Sequence, residues 1–403
     1  MTEFTGVAWH LVTCEYPPQV GGVSDYSLAV ATGLAAAGQT VHVWCPRPDA
    51  SARALRDESP LSSAPGPKPE ARSPKPEVHA DLDGWRRADL EGLSRMLDRF
   101  PSPRRLLVQW VPHGYGYKSM NVGFCLWLRS RHARQDSVDL MVHEPFVPFA
   151  ARPWHQNVVA LVHRVMTTII LSAADRVWVS TPAWGKALAP YAFGRHMDFS
   201  WAPVPSSVPT VQNVDGVRAL RQKLLGSRRL LVGHFGTYGE PVAALLRPLV
   251  IGVADAVPDC SWHFVGTESD RFCRTLVGST PRLEGRVQAT GMLASRDLSL
   301  HLQACDVLVQ PYPDGVTTRR GSVMAALEHG RPVVTTRGRL TEPMWNDLDA
   351  ARLVPVDDVE AAVDAVRGLT SDQTERHRLG ERAVAAYKER FDVCHTVDAL
   401  LAS

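Results

Sequence analysis

The chain has 403 residues, 45% of them apolar and 21% charged, with a formal net charge of +2. That length exceeds one ordinary core and fits two domains. The near-balanced charge excludes a nucleic-acid binder that works through a basic arm or stripe, so no nucleic-acid partner is expected.

The first predicted unit reads strand, loop, helix, strand. Val7 to Cys14 is a short apolar run, EYPPQVGGVSDY is loop, SLAVATGLAAAG is a helix ended by Gly38, and TVHVWCP is a second strand. This is a βαβ unit with parallel pairing. Residues 48–78 then turn rich in Pro, Ser and Ala and read as a flexible surface insertion. Alternation resumes with a helix at DLEGLSRMLDRF and strands at RRLLVQWVP and VDLMVHEP. NVVALVHRVMTTIILSAA is apolar but interrupted by His163 and Arg164, which suits a buried helix better than a membrane span. The strand DRVWVSTP, a helix opened by Pro182 and the extended segment WAPVPSSVPTVQN close this half.

A second α/β series starts at RRLLVGHFGTYGE. It runs through a helix at PVAALLRPLVIGVADAV, strands at SWHFVG and RVQATG, a helix at DLSLHLQAC and the strand DVLVQPY. After these come PYPDGVTTRRGSVMAALEHG, the strand PVVTT, ARLVP and amphipathic final helices. Two successive α/β halves imply two doubly wound domains facing a cleft. Ligands in such sheets bind beyond the carboxyl ends of the strands, so residues just after strands carry the function.

Five loops meet that condition. After DVLVQ, Asp314, Gly315, Thr317, Thr318, Arg319, Arg320, Gly321 and Ser322 lead into a helix start. Unpaired amides, hydroxyls and two guanidiniums there suit a phosphate; the plainer reading pairs one arginine with Asp314 and solvates the other. HFGTYGE offers Gly236 and Thr237, either as a ligand loop or as a tight turn. Gly21 and Gly22 leave the backbone after the first strand free to approach phosphate or sugar. His143 and Glu144 sit at a strand end, with His143 suited to hydrogen bonding or proton transfer. The loop carrying His113, Tyr115, Tyr117 and Lys118 suits an acceptor. WLRSRHARQ reads mainly as a solvated helix face, with anionic lipid as its other reading. The seven scattered cysteines form no CxxC pair, which points to reduced thiols, a cytoplasmic protein and no cysteine metal site. The N-terminus lacks a basic region followed by a long apolar run, so no secretory leader is expected.

EYPPQVGGVSDYSLAVATGLAAAGQTVHVW, VHEPF, GRVQATGMLASRDLSLHLQACDVLVQPYPDG and GSVMAALEHGRPVVTT together resemble the retaining family 4 glycosyltransferases of GT-B fold, over nearly the whole chain. The resemblance implies two Rossmann-like domains: an acceptor-side domain at 1–205, a linker at 206–216, a donor domain at 217–385, and a C-terminal helix at 386–403 that can pack back on the first domain. It implies a nucleotide-diphosphate sugar donor, a carbohydrate or lipid-linked acceptor, retention of configuration, no metal or other cofactor, and at most peripheral membrane contact. His143 and Glu144 become the catalytic pair, with His143 on the donor sugar, Gly22 near the diphosphate or acceptor, and Arg319 and Arg320 at the diphosphate. The family's E-x7-E glutamates fall on Thr317 and Ala325 here, so Asp314 and Glu328 are the expected substitutes, Glu328 for the ribose. The departure keeps a non-catalytic homologue, or a GT-B epimerase or phosphorylase, as alternatives.

Overall fold

The computed structural model describes residues 7–48, 74–150 and 154–402. The chain divides into two compact units, Met1–Pro203 with Val393–Ser403, and Val204–Asp392. Both are parallel sheets with helices between the strands, the two-domain Rossmann-like architecture of the GT-B fold.

The first sheet contains β1 (Trp9–Thr13), β2 (Val41–Pro46), β3 (Glu77–Leu82), β4 (Arg105–Trp110), β5 (Ser137–Val142), β6 (Arg176–Val179) and β7 (Phe199–Trp201), in the order β3-β2-β1-β4-β5-β6-β7. Its central strands are almost wholly buried runs such as WHLVT and SVDLMV, as a sheet covered on both faces requires. The order reverses between β1 and β4, where Rossmann-like sheets place their ligands. The loops after these strands touch: a Cβ on Gly114 would come within 2.3 Å of Cys14 Sγ. Side chains such as Trp110, Tyr115, Phe124 and Leu140 fill the core.

The second sheet contains β8 (Leu230–Phe235), β9 (Cys260–Val265), β10 (Val287–Ala289), β11 (Val307–Gln310), β12 (Val333–Arg337) and β13 (Arg352–Pro355), in the order β10-β9-β8-β11-β12-β13. Its reversal lies between β8 and β11, so Gly236–Gly239 and Pro311–Arg320 flank the switch point.

The structure departs from the sequence expectations at identifiable places. The first helix spans Gly22–Ala36, starting inside the expected loop, because Glu15 caps it from a distance. β3, β7 and the helix Ser269–Ser279 form where no element was expected. Most of the 48–78 insertion (49–73) lies outside the described residues, and its end is strand, since β3 starts at Glu77. The segment 206–216 lies within the second unit, and Val214 opens the helix Val214–Leu225. The helix expected at 386–403 is broken: Gln373–Arg390 ends in the second unit, and Val393–Leu401 packs in the first against Gly22–Ala36. That packing is close, since a Cβ on Gly33 would lie 2.6 Å from Val397 Cγ2. The helix Gln156–Ala173 is only partly buried, a correction taken up below.

Candidate functional site

In the first unit, the loop after β1 folds back on the helix that follows. Val23 N and Ser24 N donate to Glu15 Oε1, each at 3.0 Å, so a carboxylate of the same chain satisfies the first turn. A Cβ on Gly21 would fall 2.3 Å from that oxygen, whereas a Cβ on Gly22 would meet nothing within 4 Å. Gly21 thus makes room for Glu15, and Gly22 is the glycine that remains open to approach.

β5 delivers His143 and Glu144 to the strand exit. His143 Nε2 lies 2.8 Å from Gln109 Oε1, an acceptor, so Nε2 holds the proton and Nδ1 the lone pair. The His143 carbonyl accepts from Trp184 Nε1 at 2.8 Å, and Tyr26 packs edge-on to its ring at 4.7 Å. Burial pushes the imidazole down to about 3, so it is neutral at neutral pH. It is built to make fixed hydrogen bonds, and proton transfer near pH 7 is not open to it. Glu144, half exposed, lies 4.0 Å from His113 Nδ1, which brings together two residues expected from separate loops. Lys118 is exposed and left-handed (φ 51°). The side chain of Tyr117 lies outside the described set.

Tyr115 corrects the acceptor reading. Its side chain is fully buried, stacked on Trp110 and Phe124, and its hydroxyl donates to the carbonyls of Gln109 (2.7 Å) and Val12 (3.2 Å). The aromatic loop turns into the core because this hydroxyl finds two backbone partners there.

In the second unit, three guanidiniums gather on Asp314. Arg339 Nη2 lies 2.7 Å from Oδ1, and Arg319 Nη2 and Arg320 Nη2 lie 3.6 and 3.9 Å from Oδ2. The three guanidiniums share the Asp314 carboxylate. Arg320 is the residue before the helix Gly321–Glu328, and its Cζ lies 4.6 Å from the Tyr312 ring centroid. The Tyr312 hydroxyl and Ser322 Oγ are 2.8 Å apart. A Cβ on Gly236, from the loop after β8, would come within 3.7 Å of Ser322 Oγ, so this loop and the helix start adjoin. Gly236 has φ 153°, and Thr237 beside it is exposed. His234 Nδ1 donates to the Val309 carbonyl at 2.8 Å, tying β8 to β11 at the same point.

Other expected ligand groups turn inward. Thr317 and Thr318 are fully buried. Thr318 N and Oγ1 donate to Glu342 Oε1 at 3.1 and 2.9 Å, and Trp345 Nε1 donates to Oε2 at 2.9 Å. Glu342 therefore anchors the arginine loop from within. Gly315 (φ 85°) serves loop packing, since a Cβ there would lie 2.2 Å from Gly338 N. Ala325 is fully buried. Glu328 is at the other end of its helix, roughly 10 Å along the axis from Gly321. Burial raises its carboxyl, a hydrogen bond with Ser206 opposes the rise, and Asp392 adds to it.

A cavity of about 710 Å³ in the second unit lies at the opposite, amino end of β8 and β11. Its arginines are structural. Arg221 pairs with Asp306 at 2.8 Å, and Arg331 and Arg376 donate to backbone carbonyls that end neighbouring elements. This cavity lies away from the strand exits that carry the candidate site residues.

Residues 229–372 match the family model described as Glycosyl transferases group 1. The matched segment lies within the second unit and includes the arginine loop. No curated protein matches the chain significantly. Among solved structures, it is similar to sucrose-phosphate synthase from Thermosynechococcus elongatus (16% identity, TM-score 0.70, 98% of each chain covered). It is similar to HepE from Anabaena in complex with UDP and glucose (14%, 0.67, 98% of each). A third likeness is to the UDP-forming α,α-trehalose-phosphate synthase of Burkholderia xenovorans in complex with glucose-6-phosphate (16%, 0.65, 98% of this chain and 99% of that one). At such identities these likenesses are of fold.

Glu15, Gln109, Tyr312, Arg339 and Glu342 escaped the sequence reading. The rule that function follows strand ends flags Glu15 after β1 and Arg339 to Glu342 after β12. Tyr312, two residues past β11, meets the same rule, whereas Gln109 lies inside β4 and its partner His143 is distant in sequence.

Proposed function

We propose that the chain is a retaining, metal-independent glycosyltransferase. It moves a sugar from a nucleotide-diphosphate sugar to a hydroxyl acceptor. The observation that carries this reading is the arginine loop: Arg319 and Arg320 meet a helix start at the switch point of a sheet within the segment that matches the Glycosyl transferases group 1 model. Transfer makes an oxocarbenium-like centre and a departing diphosphate, and clustered guanidiniums stabilise the charge that develops on the latter. In the first unit, neutral His143 orients a sugar hydroxyl, and Glu144 with His113 faces the acceptor. Retention and metal independence rest on the family resemblance.

The test is thermal stabilisation by UDP, GDP, ADP, TDP and pyrophosphate, followed by transfer assays with the sugar of the preferred nucleotide. One nucleoside diphosphate is expected to raise the melting temperature above the others. Stabilisation without transfer to any acceptor identifies a non-catalytic homologue, and no stabilisation by any of them overturns the reading.

The acceptor is proposed to be lipid-linked and reached from an anionic membrane surface. The helix Gln156–Ala173 is long and apolar enough to span a bilayer by length and composition, but it packs one face, including Ala160, Met166 and Ile170, into the first unit. Trp154, Val158, Leu161 and Val165 form an exposed apolar stripe at helical spacing. No carboxylate occurs between Glu144 and Asp175, and the neighbouring helix Val122–His132 carries basic charges but no acidic one. An apolar stripe on a helix without carboxylates, beside a helix that carries only basic charge, fits an anionic bilayer surface. The stripe's helix also holds the loop after His143, through Arg164 Nη1 to the Val147 carbonyl at 3.1 Å and Val147 N to His163 Nδ1 at 3.3 Å. The protein is expected to float with vesicles rich in phosphatidylserine and to remain free of neutral ones. Leu161→Glu should abolish flotation and leave nucleotide stabilisation unchanged. Flotation that survives this change refutes the lipid face.

A further inference from the structure

We propose that His42, Glu77 and His79 bind one divalent first-row transition-metal ion, with Zn²⁺ the best fit, at the edge of the first sheet. One ligand atom from each lies within 4.8 Å of the other two. His42 Nδ1 is 3.1 Å from His79 Nε2 and 3.3 Å from Glu77 Oε2, and His79 Nε2 is 3.6 Å from Glu77 Oε1. Zinc bonds of the usual length, arranged tetrahedrally, put ligand atoms about 3.3–3.4 Å apart. The two ring nitrogens, and each ring nitrogen with its nearer Glu77 oxygen, lie close to that spacing, Oε2 facing His42 and Oε1 facing His79. Two imidazoles and one carboxylate suit zinc and its neighbours in the row. They do not suit Ca²⁺ or Mg²⁺, which demand oxygen ligands. Glu77 is largely exposed, so water can take the fourth position.

The strand register explains why these residues converge. β2 and β3 pair in parallel with His42 opposite Glu77 and Trp44 opposite His79. Residues two apart on a strand share a face, so all three donors project from one side. The rings are also held in place by their neighbours. Trp44 stacks on His79 at 4.0 Å and 12°, and His10, opposite His42 on β1, stacks on His42 at 5.4 Å and 18°. Phe100 packs on His42 at 4.5 Å, and Trp44 Nε1 donates to His10 Nδ1 at 3.2 Å. Stacked aromatic walls fix both imidazoles before any ion arrives, which is what a preorganised site requires.

His42 is the second residue of β2 and Glu77 the first of β3, so the site is at the amino edge of the sheet, away from the strand exits. Its role is therefore structural. It fastens β3, which among the described residues is an edge strand with a neighbour on one side only, to the amino end of β2.

The experiment uses the full chain, stripped with a chelator and titrated with Zn²⁺ by calorimetry. In parallel, Co²⁺ is added and its visible d–d absorption is read for tetrahedral intensity. One equivalent of Zn²⁺ is expected to bind and to raise the melting temperature. His79→Ala and His42→Ala should each remove that equivalent, and Glu77→Gln should weaken it at least about tenfold, the loss that even an outer-layer partner can bring. His196→Ala, at an exposed histidine elsewhere on the unit, should leave the zinc equivalent unchanged. Should His42→Ala fail to fold, His79→Ala and Glu77→Gln on the edge strand decide the matter. A titration with no saturable equivalent, an equivalent that survives in both histidine variants, or a Co²⁺ spectrum of octahedral intensity overturns the site.

Discussion

Alanine at Arg320 is expected to lower sugar transfer by about 10²–10³-fold, the usual cost of removing one preorganised donor to a developing anion. Arg320 sits at the helix start, its guanidinium over the Tyr312 ring and within 3.9 Å of Asp314. It is held before a ligand arrives, so little reorganisation is needed when charge builds on the leaving diphosphate. Arg320→Lys keeps the charge but loses the planar fork, and should recover only part of the rate. Arg319→Ala should act in the same direction, because Arg319 shares Asp314 with Arg320 and belongs to the same loop. The measurement is steady-state kinetics with donor affinity determined separately, at matched melting temperature. If each variant, taken singly, keeps wild-type donor affinity and rate, the arginines are not the diphosphate site.

What was legible in the sequence follows from the distances over which each feature is determined. Parallel strands buried on both faces appear as short apolar runs, so VLVQ and the LMV of SVDLMV stand out, and with them the strand exits where Asp314 and His143 lie. β3 reads EVHADL, alternating and polar, because it is an edge strand with a wet face. The first helix was read too late because its cap is supplied by Glu15, eight and nine residues before the amides it accepts from. Helix starts are legible only when the cap is the adjacent residue. The inward turn of Thr318 depends on Glu342, 24 residues later, and that of Tyr115 on carbonyls of two different strands. A loop with Gly and Tyr looks wet in sequence whether its ring points out or in. The zinc-type donor set was hidden for the same reason: His42 and His79 are 37 residues apart and meet only through strand register.

Acidification from about pH 7.5 to pH 5.5 is expected to cost the protein several kcal/mol of stability. Burial lowers eight histidines among the described residues, four of them furthest. Burial pushes His10, His143 and His263 down to about 3 and His234 to about 4, from the ordinary 6.5. Histidine neighbours push His10 and His263 further in the same direction. The sign follows from proton counting: below about 6.5 the unfolded chain takes up protons that these buried rings refuse. Stability is therefore complete above that value and is lost as pH falls toward the folded values near 3 to 4. At pH 5.5 each of these four rings contributes on the order of 1 kcal/mol of loss, and each unit holds two of them. Asp139 and Glu328, raised by burial, act in the opposite sense, because their folded forms accept protons before the unfolded chain does. They offset the loss only in part, since the lowered rings outnumber these two carboxyls. Denaturant melts at the two pH values measure the difference directly. His263→Asn, a change far in sequence from the strand-exit loops, should flatten the dependence by about one ring's share. A stability equal at both values would mean that the buried imidazoles are protonated in the folded chain, and the neutral, hydrogen-bonding role given to His143 would fall with them.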